Sequence, residues 1–167
     1  MELGKSKEVK LEVGEQKNKL SNLSKLLAKK ASGREKLTAL EYSNVKQCIK
    51  VSNSLGLRMV EKQQTVEALD LLKQAENVGL LLLRIVEQSA APQGGKGENH
   101  VLKLLANTYN NIGYLFSQAG NMDNAYAYLL RTLDAETRGE YSSYRKGLTC
   151  LNISNLLISK NAPTIST

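Results

Sequence analysis

NTYNNIGYLFSQAGNMDNAYAYLLRTLDAE, residues 107–136, sets Tyr109, Ile112 and Phe116 three and four residues apart, the spacing that lines one face of a helix. Gly120 can take the left-handed conformation that ends a helix. Asn121 can cap the next one, with Asp123 at its positive end. Ala125, Leu129 and Thr132 then form a second inward stripe, and the small Gly113 and Ala125 sit where two helix axes approach closely. The stretch predicts an antiparallel helical hairpin turning at Gly120–Asn121.

The same pattern recurs upstream, in SNSLGLRMVEKQQTVEALDLLKQAENV, residues 52–78. Gly56 matches Gly113 and Ala68 matches Ala125, each pair 57 residues apart. Leu55, Met59 and Leu72 stand for Ile112, Phe116 and Leu129. A partial third copy occurs in CLNISNLL, where Cys150, Ile153, Ser154 and Leu157 take the places of Tyr109, Ile112, Gly113 and Phe116. Repetition of this kind predicts stacked supersecondary units.

These residues resemble the tetratricopeptide repeat (TPR) family, whose helix pair carries a large residue, Leu-Gly, Tyr, Ala, an aromatic and Ala at fixed spacings. Residues 107–136 match best, with Leu129 at the later aromatic position and Thr132 at the final Ala. The copies near 45–78 and 148–160 match in part. The resemblance implies an all-α fold of helical hairpins stacked as a short superhelix, in which first helices line a groove that holds protein partners. Residues at such groove positions are Lys50, Asn111, Tyr114, Asn152 and Asn155. A carboxylate clamp of the kind some members use would need Asn, Lys and Arg where Ser54, Leu148 and Asn152 stand. That clamp is not expected, and another ligand mode is.

Around the hairpins the chain divides as follows: a basic helical segment at 1–34, a first pair with a long second helix at 35–88, a flexible loop at 89–100, a second hairpin with a partial third repeat at 101–160, and a tail at 161–167. Val9, Val13, Leu20, Leu23 and Leu27 form a heptad-like seam interrupted by Gln16, which predicts an amphipathic helix over 7–30. Gly14 weakens it by on the order of 1 kcal/mol, and Ala31-Ser32-Gly33 ends it. Further helices are expected over about 35–60, 65–88, 101–119, 122–136 and 140–160. GLLLLRIVEQ, residues 79–88, is apolar on nearly every side, so it packs beneath neighbours or serves as a docking surface, packing being favoured.

Charge is uneven. Residues 1–62 carry 14 Lys and Arg against 7 Asp and Glu, while residues 63–167 carry 9 of each. The densest run includes Lys17, Lys19, Lys25, Lys29, Lys30, Arg34 and Lys36 against Glu35 alone. Such a face suits an acidic protein surface or tail, or a phosphate backbone. Before Tyr42 no aromatic interleaves the cations, which argues against single-strand stacking.

Sites for chemistry are not legible. His100 has no motif partner, and no cluster of His, Cys and carboxylates has metal-ligand spacing. QGGKGE, residues 93–98, lacks the preceding strand and the Ser or Thr that a phosphate loop needs. Cys48 and Cys150 read as reduced thiols at helix-core positions, where they would be inert. The apolar run Val78 to Leu83 stops at Arg84, too short to span a bilayer, and MELGKSKEVK does not read as a secretory signal. No enzyme activity and no cofactor are expected. The expectation is a scaffold or structural subunit of a multi-subunit cytoplasmic assembly. Its Asn-Asn-Ile-Gly repeat style resembles that of large ciliary and cytoskeletal proteins of protists. The alternative is a nucleic-acid or ribonucleoprotein subunit binding through the basic helix.

Overall fold

The computed structural model describes residues 2–89 and 96–161, with side chains over 11–89 and 97–160. It has six helices: α1 (Glu2–Gly33), α2 (Ala39–Glu61), α3 (Thr65–Ser89), α4 (Lys96–Gln118), α5 (Met122–Arg138) and α6 (Ser143–Asn161). No strand occurs among the described residues. Each helix packs on the next in the chain, α1 also lies along α3, and α2 along α4. The expected all-helical class and the hairpin at 107–136 are therefore present. The tail beyond Asn161, the residues 90–95 and the Val9 side chain lie outside what is described.

Four helix ends close the same way. Gly120 has φ +73°, its N–H reaches Ser117 O at 3.1 Å, and Asn121 N–H reaches Phe116 O at 2.9 Å. These are the two bonds that satisfy the last carbonyls of a helix ending in a left-handed residue. Gln63, with φ +61°, makes the equivalent turn 57 residues earlier, where Gln64 N–H reaches Met59 O at 3.0 Å. Arg34 and Glu140 also have positive φ, and the residues after them bond back to Lys30 O and Glu136 O. So Arg34, rather than Gly33, carries the left-handed turn after α1. Three of the four turns use a side chain where glycine would be less strained.

The hairpins cross at matched positions. A Cβ added to Gly56 would stand 2.9 Å from Leu72 Cγ; one added to Gly113 would stand 3.4 Å from both Ala125 O and Tyr128 Cβ and 3.5 Å from Leu129 Cδ2. Ala68 and Ala125 are fully buried opposite them. Gly79 brings α3 equally close to α4, its added Cβ falling 2.7 Å from Leu105 Cδ2. This resolves the apolar run at 79–88: Leu82, Leu83 and Ile85 are buried in the main core and Leu80 is left half-exposed.

Three expectations are corrected. The second helix starts at Ala39, not near Glu35, because Thr38 caps it: Thr38 Oγ1 accepts from Glu41 N–H and the Glu41 carboxylate accepts from Thr38 N–H. The loop expected at 89–100 is shorter, since Ser89 ends α3 and residues 96–100 already belong to α4. Gly97 O there accepts from Tyr42 Oη, and Glu98 pairs with Arg138 at 3.4 Å. Cys150 is exposed, not in the core, because α5 covers another face of α6 and, among the described residues, no further helix packs on the face that carries it. Cys48 is buried as expected, and burial raises its thiol pKa.

Two substitutions test the crossings and turns by urea denaturation. Gly113→Leu should lower stability by roughly 1–3 kcal/mol through overpacking. Gln63→Gly should raise it by up to about 1 kcal/mol, by relieving the left-handed strain.

Candidate functional site

The α1 seam packs as expected, with Val13, Leu20 and Leu27 buried and Leu23 partly so. Gln16 does not interrupt it. Its amide is buried and donates to Cys48 O and Ser52 Oγ, both at 2.9 Å, tying α1 to α2. Two of the seven basic residues singled out belong to the fold. Lys17 pairs with Asp70 of α3 at 2.5 Å and holds that carboxyl below its usual range. Lys30 pairs with Glu41 at 3.2 Å and donates to Lys36 O, closing the α1–α2 corner. Lys19, Lys25, Lys29, Arg34 and Lys36 are exposed.

A second surface lies across α2, α4 and α6. An open groove of about 540 Å³ runs between Leu57 on α2, Asn111 and Tyr114 on α4, and Asn152 and Asn155 on α6. Four of the five predicted partner-binding residues thus share one groove. The fifth, Lys50, is exposed on α2 and does not line it. Asn111 also serves the fold: its Nδ2 donates to Asn53 Oδ1 at 3.0 Å, and Asn53 Nδ2 donates to Thr108 Oγ1 at 2.9 Å.

Lys50 belongs instead to a cationic patch on the same side. His100 on α4 is held below the ordinary histidine range, first by burial and then by repulsion from Lys46, Lys50 and Lys103. Lys103 Nζ and the Arg145 guanidinium both lie over the Tyr141 ring, at 5.4 and 5.3 Å. Lys46 lies over Tyr42 at 4.9 Å, and Arg145 donates to Asn107 Oδ1 at 3.0 Å. Lys46, Lys103, His100 and Arg145 had no place in the sequence reading of the site.

The patch reflects a segregation of charge by helix. Asp and Glu are absent from 42–60 of α2, from 99–118 of α4, and from the whole of α6. Helices α2, α4 and α6 hold 8 Lys and Arg against 3 Glu, a difference of +5, whereas α3 and α5 hold 4 against 7, a difference of −3. The three exceptions stand at helix ends: Glu41 in the capping box, Glu98 paired with Arg138, and Glu61 at the close of α2.

The buried carboxylates join helices. Glu76 on α3 accepts from Tyr128 Oη at 3.0 Å and Arg131 at 3.1 Å, both on α5, and pairs with Lys73. Burial and the nearby Glu76 charge push the Tyr109 hydroxyl up to about 12. Glu136 on α5 accepts from Thr149 Oγ1 of α6 at 2.8 Å. Each carboxylate is satisfied by donors from a neighbouring helix. Among the described residues no three His, Cys, Asp or Glu gather as a metal site would require. Compared with known proteins, the chain matches no family model, no curated protein and no solved structure.

The two kinds of lysine on α1 separate by mutation. Lys30→Glu should destabilise the fold measurably in urea, because it sets a third carboxylate beside Glu35 and Glu41. Lys25→Glu and Lys29→Glu should each stay within about 0.5 kcal/mol. The patch has its own reporter, since His100 is the single histidine. Its NMR-titrated pKa should rise in Lys103→Glu, which removes a repelling cation and adds a carboxylate.

Proposed function

We propose that this chain is a non-enzymatic protein-interaction scaffold, a structural subunit of a larger assembly, built as a short TPR-like array whose first helices α2, α4 and α6 line the binding groove. One observation carries the reading: Asn111, Tyr114, Asn152 and Asn155, chosen from repeat position alone, meet in a single open groove. Supporting it are the matched crossings at Gly56 and Gly113 and the matched turns at Gln63 and Gly120. An amide-rich groove suits a protein ligand, because side-chain amides can donate to and accept from a peptide backbone. The likeness of the Asn-Asn-Ile-Gly repeat to those of ciliary and cytoskeletal proteins directs the search to a cytoplasmic, microtubule-based assembly.

A second reading, a nucleic-acid or ribonucleoprotein subunit, rests on the five exposed cations of the α1 segment. It calls for RNA binding that weakens steeply with salt and is lost when Lys19, Lys25 and Lys29 are reversed to Glu.

The test of the first reading is affinity capture from native extract with the wild-type chain and with Tyr114→Asp/Asn155→Asp, identified by mass spectrometry. Both altered residues are exposed, so the helical circular dichroism should be unchanged. Partners recovered by the wild type should fall by about tenfold or more with the double variant, the loss expected when central contacts are replaced by charge. Equal recovery by both would overturn the groove as the binding site.

A further inference from the structure

Helix α6 carries a surface that the fold itself does not require. Tyr144, Leu148, Leu151 and Ile158 are 73%, 40%, 55% and 68% exposed. With Asn155 they recur at alternating spacings of four and three, 144, 148, 151, 155, 158, which is the seam of a coiled coil. By the 41-residue offset of the third repeat these positions are the equivalents of Lys103, Asn107, Asn110, Tyr114 and Ser117 of α4. There the stripe is mostly polar, so hairpin packing places no demand for apolar side chains on it. Five of the twelve large hydrophobic side chains found exposed in the described residues belong to α6.

The charge around the stripe selects its occupant. Helix α6 contains Arg145, Lys146 and Lys160 and no carboxylate. Beside its first half lies the patch of Lys103 and Arg145 around Tyr141, with Lys50 beyond. Arg145 and Lys160 are already engaged by α5, at 3.9 Å from Glu136 and 2.5 Å from Asp123, so the charge left beside the stripe is that of Lys146, Lys103 and Lys50. A second copy docking through α6 would bring the same cations and no carboxylate of α6 to meet them, and like charges across an interface are penalised. We propose that α6 and the cationic floor beside it dock an acidic amphipathic helix of a partner protein, with apolar residues at four–three spacing on Tyr144, Leu148, Leu151 and Ile158 and Asp or Glu on the flank toward Lys103. Asn155 is the polar member of the seam and lines the groove as well, a place from which one side chain can fix the register of the incoming helix. This assignment rests on the scaffold reading and names the class of partner.

The test uses the full 167-residue chain and three synthetic helices of about three heptads: one with a Leu seam and Glu flanks, one with the same seam and Lys flanks, and one with Glu flanks and a Ser seam. Fluorescence anisotropy should show saturable binding of the first, weakening as salt rises. The other two should bind about tenfold more weakly or worse. Leu151→Ser should weaken the first peptide by about tenfold, and Lys103→Glu by several-fold, with helical circular dichroism unchanged. The NMR-titrated pKa of His100 should rise when the acidic helix is bound, because its carboxylates offset the neighbouring lysines. Equal binding of the Ser-seam peptide, or unaltered binding to Leu151→Ser, would show charge without docking and overturn the proposal. Salt-sensitive RNA binding lost in Lys103→Glu would overturn it too. So would self-association in sedimentation that Leu151→Ser abolishes, since the occupant would then be a second copy. Any of these, with partner capture still lost in Tyr114→Asp/Asn155→Asp, would leave the scaffold reading standing.

Discussion

Where α2 meets α3, the Gly56 backbone lies so near Leu72 that a methyl group would stand 2.9 Å from its Cγ, and at Gly113 the α4 backbone is similarly held against Ala125 O. These approaches bring Ala68 and Ala125 to complete burial and let Leu72 and Leu129 fill the space a side chain would have taken. Gly79 repeats the device between hairpins, bringing α3 down on Leu105 of α4. With the axes this close, the long α3 is enclosed by α1, α2 and α4, and its nearly all-round apolar stretch becomes core. Looser crossings would expose that stretch and separate the polar ties that set the helices in register.

Those ties divide the carboxylates from the groove. Asp70 and Glu76 on α3 and Glu136 on α5 are taken up by Lys17, by Tyr128 with Arg131, and by Thr149, each on another helix. Between α2 and α4 the tie is made by neutral amides and a hydroxyl, Asn53, Asn111 and Thr108. An uncharged tie satisfies its own donors and acceptors without placing a carboxylate on that side. Helices α2, α4 and α6 therefore carry a positive excess, although Arg58 pairs with Glu12, Lys160 with Asp123 and Arg145 lies 3.9 Å from Glu136. Lys46, Lys50 and Lys103 add their repulsion to the burial that lowers the His100 pKa. Carboxylates tie helices through α3 and α5, neutral amides tie α2 to α4, and 42–60, 99–118 and α6 hold no Asp or Glu of their own.

Much of the fold was legible because it is written in local spacing. The three-and-four rhythm of Tyr109, Ile112 and Phe116, the Gly120 turn and the 57-residue echo gave the hairpins and their crossings. The start of α2 was equally legible in Thr38-Ala-Leu-Glu41 and was missed, since the charged run before it extended the apparent helix to Glu35. The turns at Arg34, Gln63 and Glu140 left no signal, because a non-glycine residue in the left-handed region is imposed by the packing on either side. The groove residues came from repeat position, yet the cationic patch did not. Residues 63–167 sum to zero charge, and the sum conceals alternation: +4 on α4 with α6 (five Lys and Arg against Glu98), −3 on α3 with α5, and −1 from Glu140. A window along the chain averages over helices that face different ways.

The same limit explains why α6 was only half read. Matching CLNISNLL to the preceding repeat turns Cys150, Ile153 and Leu157 inward, whereas α6 buries Thr149 and Leu156 and leaves Ile153 partly buried. A third repeat without its second helix leaves Leu156, Leu157 or Ile158 to be partly uncovered: Leu157 and Ile158 are exposed and Leu156 is buried, while Cys150, expected in the core, is exposed. Tyr144, Leu148, Leu151 and Ile158 belong to neither stripe of the repeat, and they gain meaning only once α5 is known to lie on the opposite side of the helix. Apolar residues on a face that hairpin packing leaves open do not add to the stability of the isolated chain; they gain when something displaces water from them. Helix α6 is thus held by one small apolar cluster, Ala125, Leu129 and Leu156, and by the polar ties of Thr149 to Glu136, Arg145 to Asn107 and Lys160 to Asp123, while Tyr144, Leu148, Leu151 and Ile158 stay exposed. The α6 stripe, 144, 148, 151, 155 and 158, stands apart from the residues that seat the helix on α5.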